Sequence, residues 1–420
     1  MNMLRLTLAY LADRRLGTLL NIALLALGVA TLVILLQFTR QLESRLQRDA
    51  QGIDLVVGAK GSPIQLILSG VFHLDSPTGN VPLEAVALLR SQPSVAQAIP
   101  LALGDNFRGY RIVGTEAAYA SLYGATLADG RMFERPMEVV IGSAVAAGTG
   151  AGLGQRFVGS HGLGDGGHSH DATPFIVVGR LKPTGTVIDR LILTPVESVW
   201  DAHGIAHDEP SANHAGHSHD DHDHGSKAAH DAARPDTLKP EVTVILVRYR
   251  SAFGAVQIPG FINRQTNYQA AVPAVELGRI LSLVGVGIDT MRVLALLQML
   301  TAGLSIFVAL YGSLNRRLPD MALLRVVGAT RGAVFGQLLL EGLLLALAGA
   351  LAGLLLGHAA LAAAAALFPE LQSVGLNPWA FDPAEALIVA GALGLGLLAA
   401  LVPALQVYRQ DIARTLSDSP

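Results

Sequence analysis

The sequence predicts an α-helical membrane protein with four transmembrane helices and a mixed α+β extracytoplasmic domain. Three observations carry this. Of 420 residues, 51% are hydrophobic and only 15% charged, too apolar for an ordinary soluble enzyme. The apolar excess is concentrated in uncharged runs in the first tenth and last third of the chain, each long enough to cross about 30 Å of hydrocarbon. Between them lies a segment rich in short β-type runs and turn residues.

Residues 1–15 form an N-terminal amphipathic segment carrying Arg5, Arg14 and Arg15, and the first span occupies 16–38. A cleavable signal peptide has an apolar region of about 7–15 residues before a polar cleavage site. Here the apolar run continues through Val29–Leu36, past the small residues Gly28 and Ala30, so an uncleaved signal anchor is expected. The remaining spans are 293–314, 332–358 and 386–408. Positive charge in short loops marks the cytoplasmic side. The N-terminus, the loop 315–331 (Arg316, Arg317, Arg325, Arg331) and the tail 409–420 are basic, whereas the loop 359–385 contains neither Lys nor Arg. Both termini are therefore expected on the cytoplasmic side, with 39–292 and 359–385 outside.

In the third span Gly349, Gly353 and Gly357 recur at four-residue spacing, and the fourth contains Gly391, Gly394 and Gly396. Small residues let backbones approach closely where lipid supplies no hydrophobic drive, so these read as helix contact faces. Glu341 is the ionisable residue within a span; about two turns from the inner end, it can reach the interface or an arginine of the preceding loop, which favours a structural role over proton coupling.

The extracytoplasmic segment 39–292 has room for one substantial core or two modest subdomains. Strand-like runs lie at Ile53–Val57, Arg111–Val113, Glu138–Ile141, Phe175–Val178, Leu191–Leu193 and Val242–Tyr249, and a helix is expected over Pro82–Arg90 with its proline in the first turn. Thr39–Ala50 and Val275–Arg292 adjoin spans and read either as stalks continuing the membrane helices or as interfacial linkers. The glycines at 150–154 and 162–167 read as loops, because the chain has no GxxxxGK[ST] and so lacks the lysine and hydroxyl that a nucleotide loop needs. Any ATP hydrolysis belongs to another polypeptide. The net charge of −3 argues against a nucleic-acid partner, and the absence of cysteine leaves metal chemistry to His and carboxylates.

Eight of the 13 histidines fall within the insertion 203–230. His214, His217, His219, His222 and His224, interleaved with Asp220, Asp221 and Asp223, offer many alternative ligand sets for a divalent metal, Zn²⁺ foremost. The surrounding Gly, Pro, Ala and Ser make this a low-complexity loop, for which a solvated insertion with incidental metal affinity is the rival reading. No cofactor is otherwise required. His73 and His358 stand alone and read as structural.

The loop Arg316–Arg331 (RRLPDMALLRVVGATR) allows Pro319 to open a short helix and Gly328 to end it, with Met321, Leu324 and Val327 on one side. Such a helix needs a partner groove or a membrane surface. The stretch resembles the cytoplasmic loop of the FtsX/MacB permease family of ABC transporters, and the resemblance extends through Gln337, Glu341, the glycines of the third span, Pro403 and the basic tail. Asp320 stands where the family often has Glu, and Ala322 where it often has Gly.

The resemblance implies a coupling helix at 318–330, docking on a cytosolic ABC ATPase through Asp320, Met321, Leu324, Arg325, Val327 and Gly328. It further implies a second permease copy, a homodimer, and spans that transmit motion rather than form a conduit, so the chain itself is not an enzyme. The outer domain would then act on a periplasmic partner, a metal-binding protein or cargo. Three functions remain open: a metal-linked transport subunit, a lipoprotein-releasing or efflux permease with incidental histidines, and a regulatory scaffold that activates an envelope partner without cargo.

Overall fold

The computed structural model describes residues 3–161, 174–202, 239–326, 328–368 and 377–409. It divides into two compact units, Met1–Ser44 with Leu281–Pro420, and Arg45–Ile280.

Helix α1 (Met3–Asp13) leads into α2 (Arg15–Asp49). The second unit then runs β1 (Leu55–Ala59), α3 (Pro63–Gly70), β2 (Val81–Pro82), α4 (Glu84–Arg90), β3 (Val95–Phe107), β4 (Tyr110–Thr115), α5 (Ala117–Leu122), β5 (Leu127–Gly130) and β6 (Glu138–Ile141). It continues with α6 (Ser143–Thr149), β7 (Arg156–Phe157), β8 (Ser160–His161), β9 (Phe175–Leu181), β10 (Leu191–Pro195), α7 (Val196–Ala202), β11 (Glu241–Val242), β12 (Val244–Tyr249), α8 (Ala252–Gln265) and β13 (Tyr268–Ala271). The chain then follows α9 (Pro273–Val326), α10 (Arg331–Leu367) and α11 (Glu385–Arg409).

The α/β unit is built on one mixed sheet in the order β13-β1-β12-β3-β4-β10-β6-β9-β5, with β7 paired to β9 and β8 to β3. The pairs β4–β10 and β6–β9 are parallel and the others antiparallel. Strand β3 joins two halves: Val95–Leu101 pairs with β12, and after a change of partner Ala102–Phe107 pairs with β4, with a register shift between Leu103 and Asn106. Each half has its own core. Leu55, Val57, Val86, Leu89, Ile245 and Ile262 fill the first, where the Trp200 indole N–H donates to Glu241 O at 2.7 Å. Ile112, Val139, Ile141, Phe157, Phe175 and Ile192 fill the second, with the Phe157 ring 4.2 Å from Phe107 and 5.7 Å from Phe175.

Among the described residues, four helices are long and apolar enough to cross a bilayer: α2, α9, α10 and α11. Their shared interior contains Leu25, Val29 and Val33 of α2, Met299, Ala302 and Ile306 of α9, Leu345, Ala346 and Ala350 of α10, and Ala392 and Ala400 of α11. Leu294, Leu297, Leu300 and Leu304 of α9 are more than half exposed, as suits side chains facing lipid rather than water.

Several local expectations change. Pro82 lies in β2, paired with Glu241, and the helix begins only at Glu84. Pro82 is spent on the sheet because Val81 inserts its side chain into the first core. Pro319 does not open a separate helix; α9 is continuous to Val326, the proline removing one backbone hydrogen bond without ending the helix. Strand β3, the longest, together with β5 and β13, is not foreseen from the sequence.

Candidate functional site

The basic segment between the second and third spans forms a turn between two helices. Asp320, Met321, Leu324 and Arg325 belong to α9, whose last residue, Val326, is 65% exposed. The Gly328 N–H closes the turn on Arg325 O at 3.1 Å, and Gly328 adopts φ +109°, a conformation that only glycine reaches without strain. Thr330 then caps α10, its hydroxyl accepting the Ala333 N–H at 3.2 Å. Val327 lies outside the described residues.

A seam of glycines sits between α10 and α2. A Cβ added at Gly349 would come within 2.9 Å of Leu25, one at Gly353 within 2.6 Å of Val29 Cβ and 2.7 Å of Ala26 O, and one at Gly357 within 3.0 Å of Val33. Four-residue spacing holds all three on one helix face, and the absence of side chains there brings the backbones together. On another face of α10, Gly342 meets Ala400 and Gly396 O of α11. Gly391 and Gly394 face open space, so of the three glycines in the fourth span Gly396 alone is at a close contact. The periodicity of a glycine run does not say which face meets a neighbour.

Polar groups inside this unit fall in two places. Towards the Gly328 end, a cavity of about 540 Å³ is lined by Tyr10, Arg14, Asn21, Ser313 and Glu341, with Glu341 only 5% exposed. Beside it the Ser305 hydroxyl donates to Asn21 Oδ1 at 2.7 Å, joining α9 to α2.

The second place lies towards the opposite end, about 25 Å further along α10 than Glu341. His358 Nδ1 is 2.7 Å from Pro378 O and its Nε2 is 3.2 Å from Glu385 Oε2. Gln37 of α2 donates its amide to Glu385 Oε1 and, at 2.7 Å, to Ala380 O. Gln41 donates to Gln37 Oε1 and to Asn377 O, both at 2.9 Å, and accepts the Asn377 N–H at 2.7 Å. Trp379 stacks on the His358 ring, centroids 6.0 Å apart and planes at 15°. Glu385 is completely buried and Gln37 nearly so. The start of α11 explains part of this: in Asp382-Pro383-Ala384-Glu385 the Asp382 carboxylate accepts the Ala384 N–H at 2.8 Å, while Glu385 reaches back to the Asp382 N–H at 3.5 Å, a capping box with proline in the first turn. That D-P-x-E pattern is the signal by which Glu385 could have been picked out; Gln37 has none.

In the α/β unit, buried polar groups fasten the end of α2. Asp49 Oδ1 accepts the Val187 N–H at 2.7 Å, and the Tyr123 hydroxyl donates to Asp49 O at 3.0 Å. Burial raises the Asp49 carboxyl above the usual range, an effect that Arg45, 3.8 Å away, opposes. His73 adopts φ +55° and sits 3.0 Å from the Tyr119 hydroxyl; burial, with Arg111 and Arg190 nearby, pushes its imidazole down to about 3. His73 is therefore a neutral core residue.

His214, His217, His219, His222 and His224 lie outside the described residues. Among the described residues no three His or carboxylate side chains group as metal ligands.

Comparison with known proteins finds two family matches along the chain. Residues 18–245 match the MacB-like periplasmic core domain and residues 292–412 the FtsX-like permease C-terminal domain. Among solved structures, the chain is similar to the periplasmic region of MacB from Actinobacillus actinomycetemcomitans, at 12% identity and TM-score 0.33, covering 55% of this chain and 95% of that one. It is also similar to the extracellular domain of the noncanonic ABC-type transporter YknZ from Gram-positive bacteria, at 15% identity and TM-score 0.29, covering 52% of this chain and 98% of that one. None of the curated proteins compared with it matches. Because the two family matches run in succession over most of the sequence, this chain belongs to the MacB/FtsX-type family of ABC transporter permeases.

Proposed function

We propose that this permease carries movement from a separate cytosolic ATPase to its own α/β domain, acting as a pair of copies with both termini in the cytoplasm of a bacterial inner membrane. The reading rests foremost on helix length. Helix α2 has 35 residues and α9 has 54, so at 1.5 Å per residue they extend about 50 and 80 Å, well beyond a bilayer core. Neither is interrupted where span meets domain, and a continuous hydrogen-bonded helix passes on a displacement that a flexible linker would absorb. In this reading the Gly328 turn and the end of α9 receive the ATPase, with Met321, Leu324 and Arg325 at the contact and Asp320, Val327 and Gly328 shaping it. The glycine seam at Gly349, Gly353 and Gly357 keeps α2 and α10 moving as one body.

The test is co-purification. A polypeptide with a Walker motif should come through purification with the wild-type chain, and Leu324→Asp with Arg325→Glu should remove it while leaving the permease folded. Retention of the ATPase by the double variant would eliminate the coupling role. Val326 should be reachable by reagents only from the cytosolic side, opposite to the α/β domain.

The insertion 203–230 supports a second element, capture of Zn²⁺ or a similar divalent ion ahead of transport. Eight histidines within 28 positions, with aspartates among them, give the density of imidazole donors that such capture needs. Deleting 203–230 should alter growth under both zinc limitation and zinc excess; unchanged growth in both would favour a lipoprotein-releasing or efflux permease.

A further inference from the structure

We propose that His358 and Glu385 form a buried proton-binding site, holding one proton between His358 Nε2 and Glu385 Oε2. The assignment follows from counting donors. Nδ1 faces Pro378 O at 2.7 Å, and a carbonyl oxygen presents only lone pairs, so Nδ1 carries a hydrogen. A neutral ring would then turn a bare lone pair at Nε2 towards Glu385 Oε2, 3.2 Å away. An ionised carboxylate also has only lone pairs, and Glu385 is fully buried, so no solvent would separate the two. The arrangement is attractive only with an additional proton on that line.

Neighbouring groups place the proton on the ring. Glu385 Oε1 accepts from Gln37 and lies 3.5 Å from the Asp382 N–H, and donors of this kind favour the ionised carboxylate. Trp379, stacked on the imidazole, favours a cation. The pair then buries no net charge. Among the described residues, the Arg40 guanidinium of α2 lies 3.8 Å from the Asp382 carboxylate at the start of α11.

The site joins three spans. Gln37 belongs to α2, His358 to α10 and Glu385 to the first turn of α11, with Gln41 adding the backbone of Asn377. An occupied site clasps these helix ends together. Departure of the proton leaves like lone pairs opposed and removes this link between the ends of α10 and α11. Proton occupancy at the end remote from the Gly328 turn would therefore set how tightly the bundle is closed. The inference stands whether or not an ATPase docks at that turn.

The test uses the full chain in lipid nanodiscs with ¹⁵N-labelled histidine, the His358 signals being identified by their loss in His358→Gln. At neutral pH both His358 ring nitrogens should be protonated, and in Glu385→Gln one should be bare. A bare Nε2 in the wild type, with no protonated-carboxyl infrared band lost in Glu385→Gln, would show the site empty and overturn the proposal. As an independent reading, unfolding of the wild type should release more proton per chain than unfolding of Glu385→Gln, so its melting midpoint should fall more steeply as pH rises above about 6.5, the ordinary value at which an unfolded imidazole loses its proton. Equal slopes would also overturn it. Should Glu385→Gln fail to fold, the wild-type ring signals decide alone.

Discussion

Adding one methyl group at Gly353 tests how the membrane helices are packed. A Cβ there would lie 2.6 Å from Val29 Cβ and 2.7 Å from Ala26 O. The first contact involves a side chain and the second a backbone oxygen, which cannot rotate away, so α10 and α2 must separate by several tenths of an ångström. Overpacking of this kind costs about 1–3 kcal/mol, against which alanine's better helix propensity returns up to about 1 kcal/mol. Gly353→Ala should therefore lose about 1–2 kcal/mol net. Gly391, with nothing near its added Cβ, supplies the control: Gly391→Ala should be neutral or gain up to about 1 kcal/mol. Gly349→Ala should fall between them, since its contacts, Leu25 Cδ2 at 2.9 Å and Leu25 Cβ at 3.0 Å, are less close and include no backbone atom. Thermal unfolding in one detergent, followed by fluorescence, gives the order of midpoints. Val29→Ala in the Gly353→Ala background should recover a small part of the loss, because it removes the Val29 Cγ1 contact at 2.7 Å while the Cβ and Ala26 O contacts remain. Equal midpoints for Gly353→Ala and Gly391→Ala, or strict additivity of the Val29 and Gly353 changes, would refute the close-contact reasoning.

Three further outcomes are expected. Asp49→Ala strands the buried Val187 N–H and should cost about 1–3 kcal/mol, whereas Asp49→Asn keeps an acceptor and should lose less; thermal midpoints compare them. His73 stays neutral in the folded chain down to about pH 3, whereas in the unfolded chain it gains a proton near its ordinary value of about 6.5. The unfolded state thus binds more protons across that interval, and stability falls as pH drops from about 6.5. His73→Asn, which tolerates the positive φ, should flatten this acid slope in melting curves taken between about pH 6.5 and pH 4. Gly328→Val forces a branched side chain into φ +109° and should reduce recovery of the ATPase, whereas Gly332→Val, with open space at its Cβ and no positive φ, should not; equal recovery would separate the turn from docking.

Legibility differed from element to element. The strands at Glu138–Ile141, Phe175–Leu181 and Leu191–Pro195 announce themselves as β-branched and apolar runs between turn residues. Strand β3 does not. Its course through Gln97, Gly104, Asp105 and Asn106 breaks apolar alternation, and Asp105 and Asn106 are buried only because the chain changes partner at the bulge. Pro82 carries the signature of a first-turn proline but is taken up by a strand partner from 241, which no local pattern reveals. The glycines at 349, 353 and 357 and those at 391 and 394 look alike in sequence, yet only the former meet a neighbouring helix. The polar cluster at His358 was the least legible: His358 reads as a solitary histidine and Gln37 as an unremarkable residue at the edge of a span.

The sequence by itself determined that four segments are long enough and apolar enough to enter a bilayer, and that a β-rich domain interrupts them. Both follow from runs of neighbouring residues, because membrane thickness and strand patterning are requirements on local length and local polarity. Tertiary structure alone decided which glycine face meets α2 and that Gln37 reaches Glu385 across 348 positions of sequence. Close packing and donor–acceptor pairing are properties of surfaces brought together by folding, and a linear order of residues does not contain their distances.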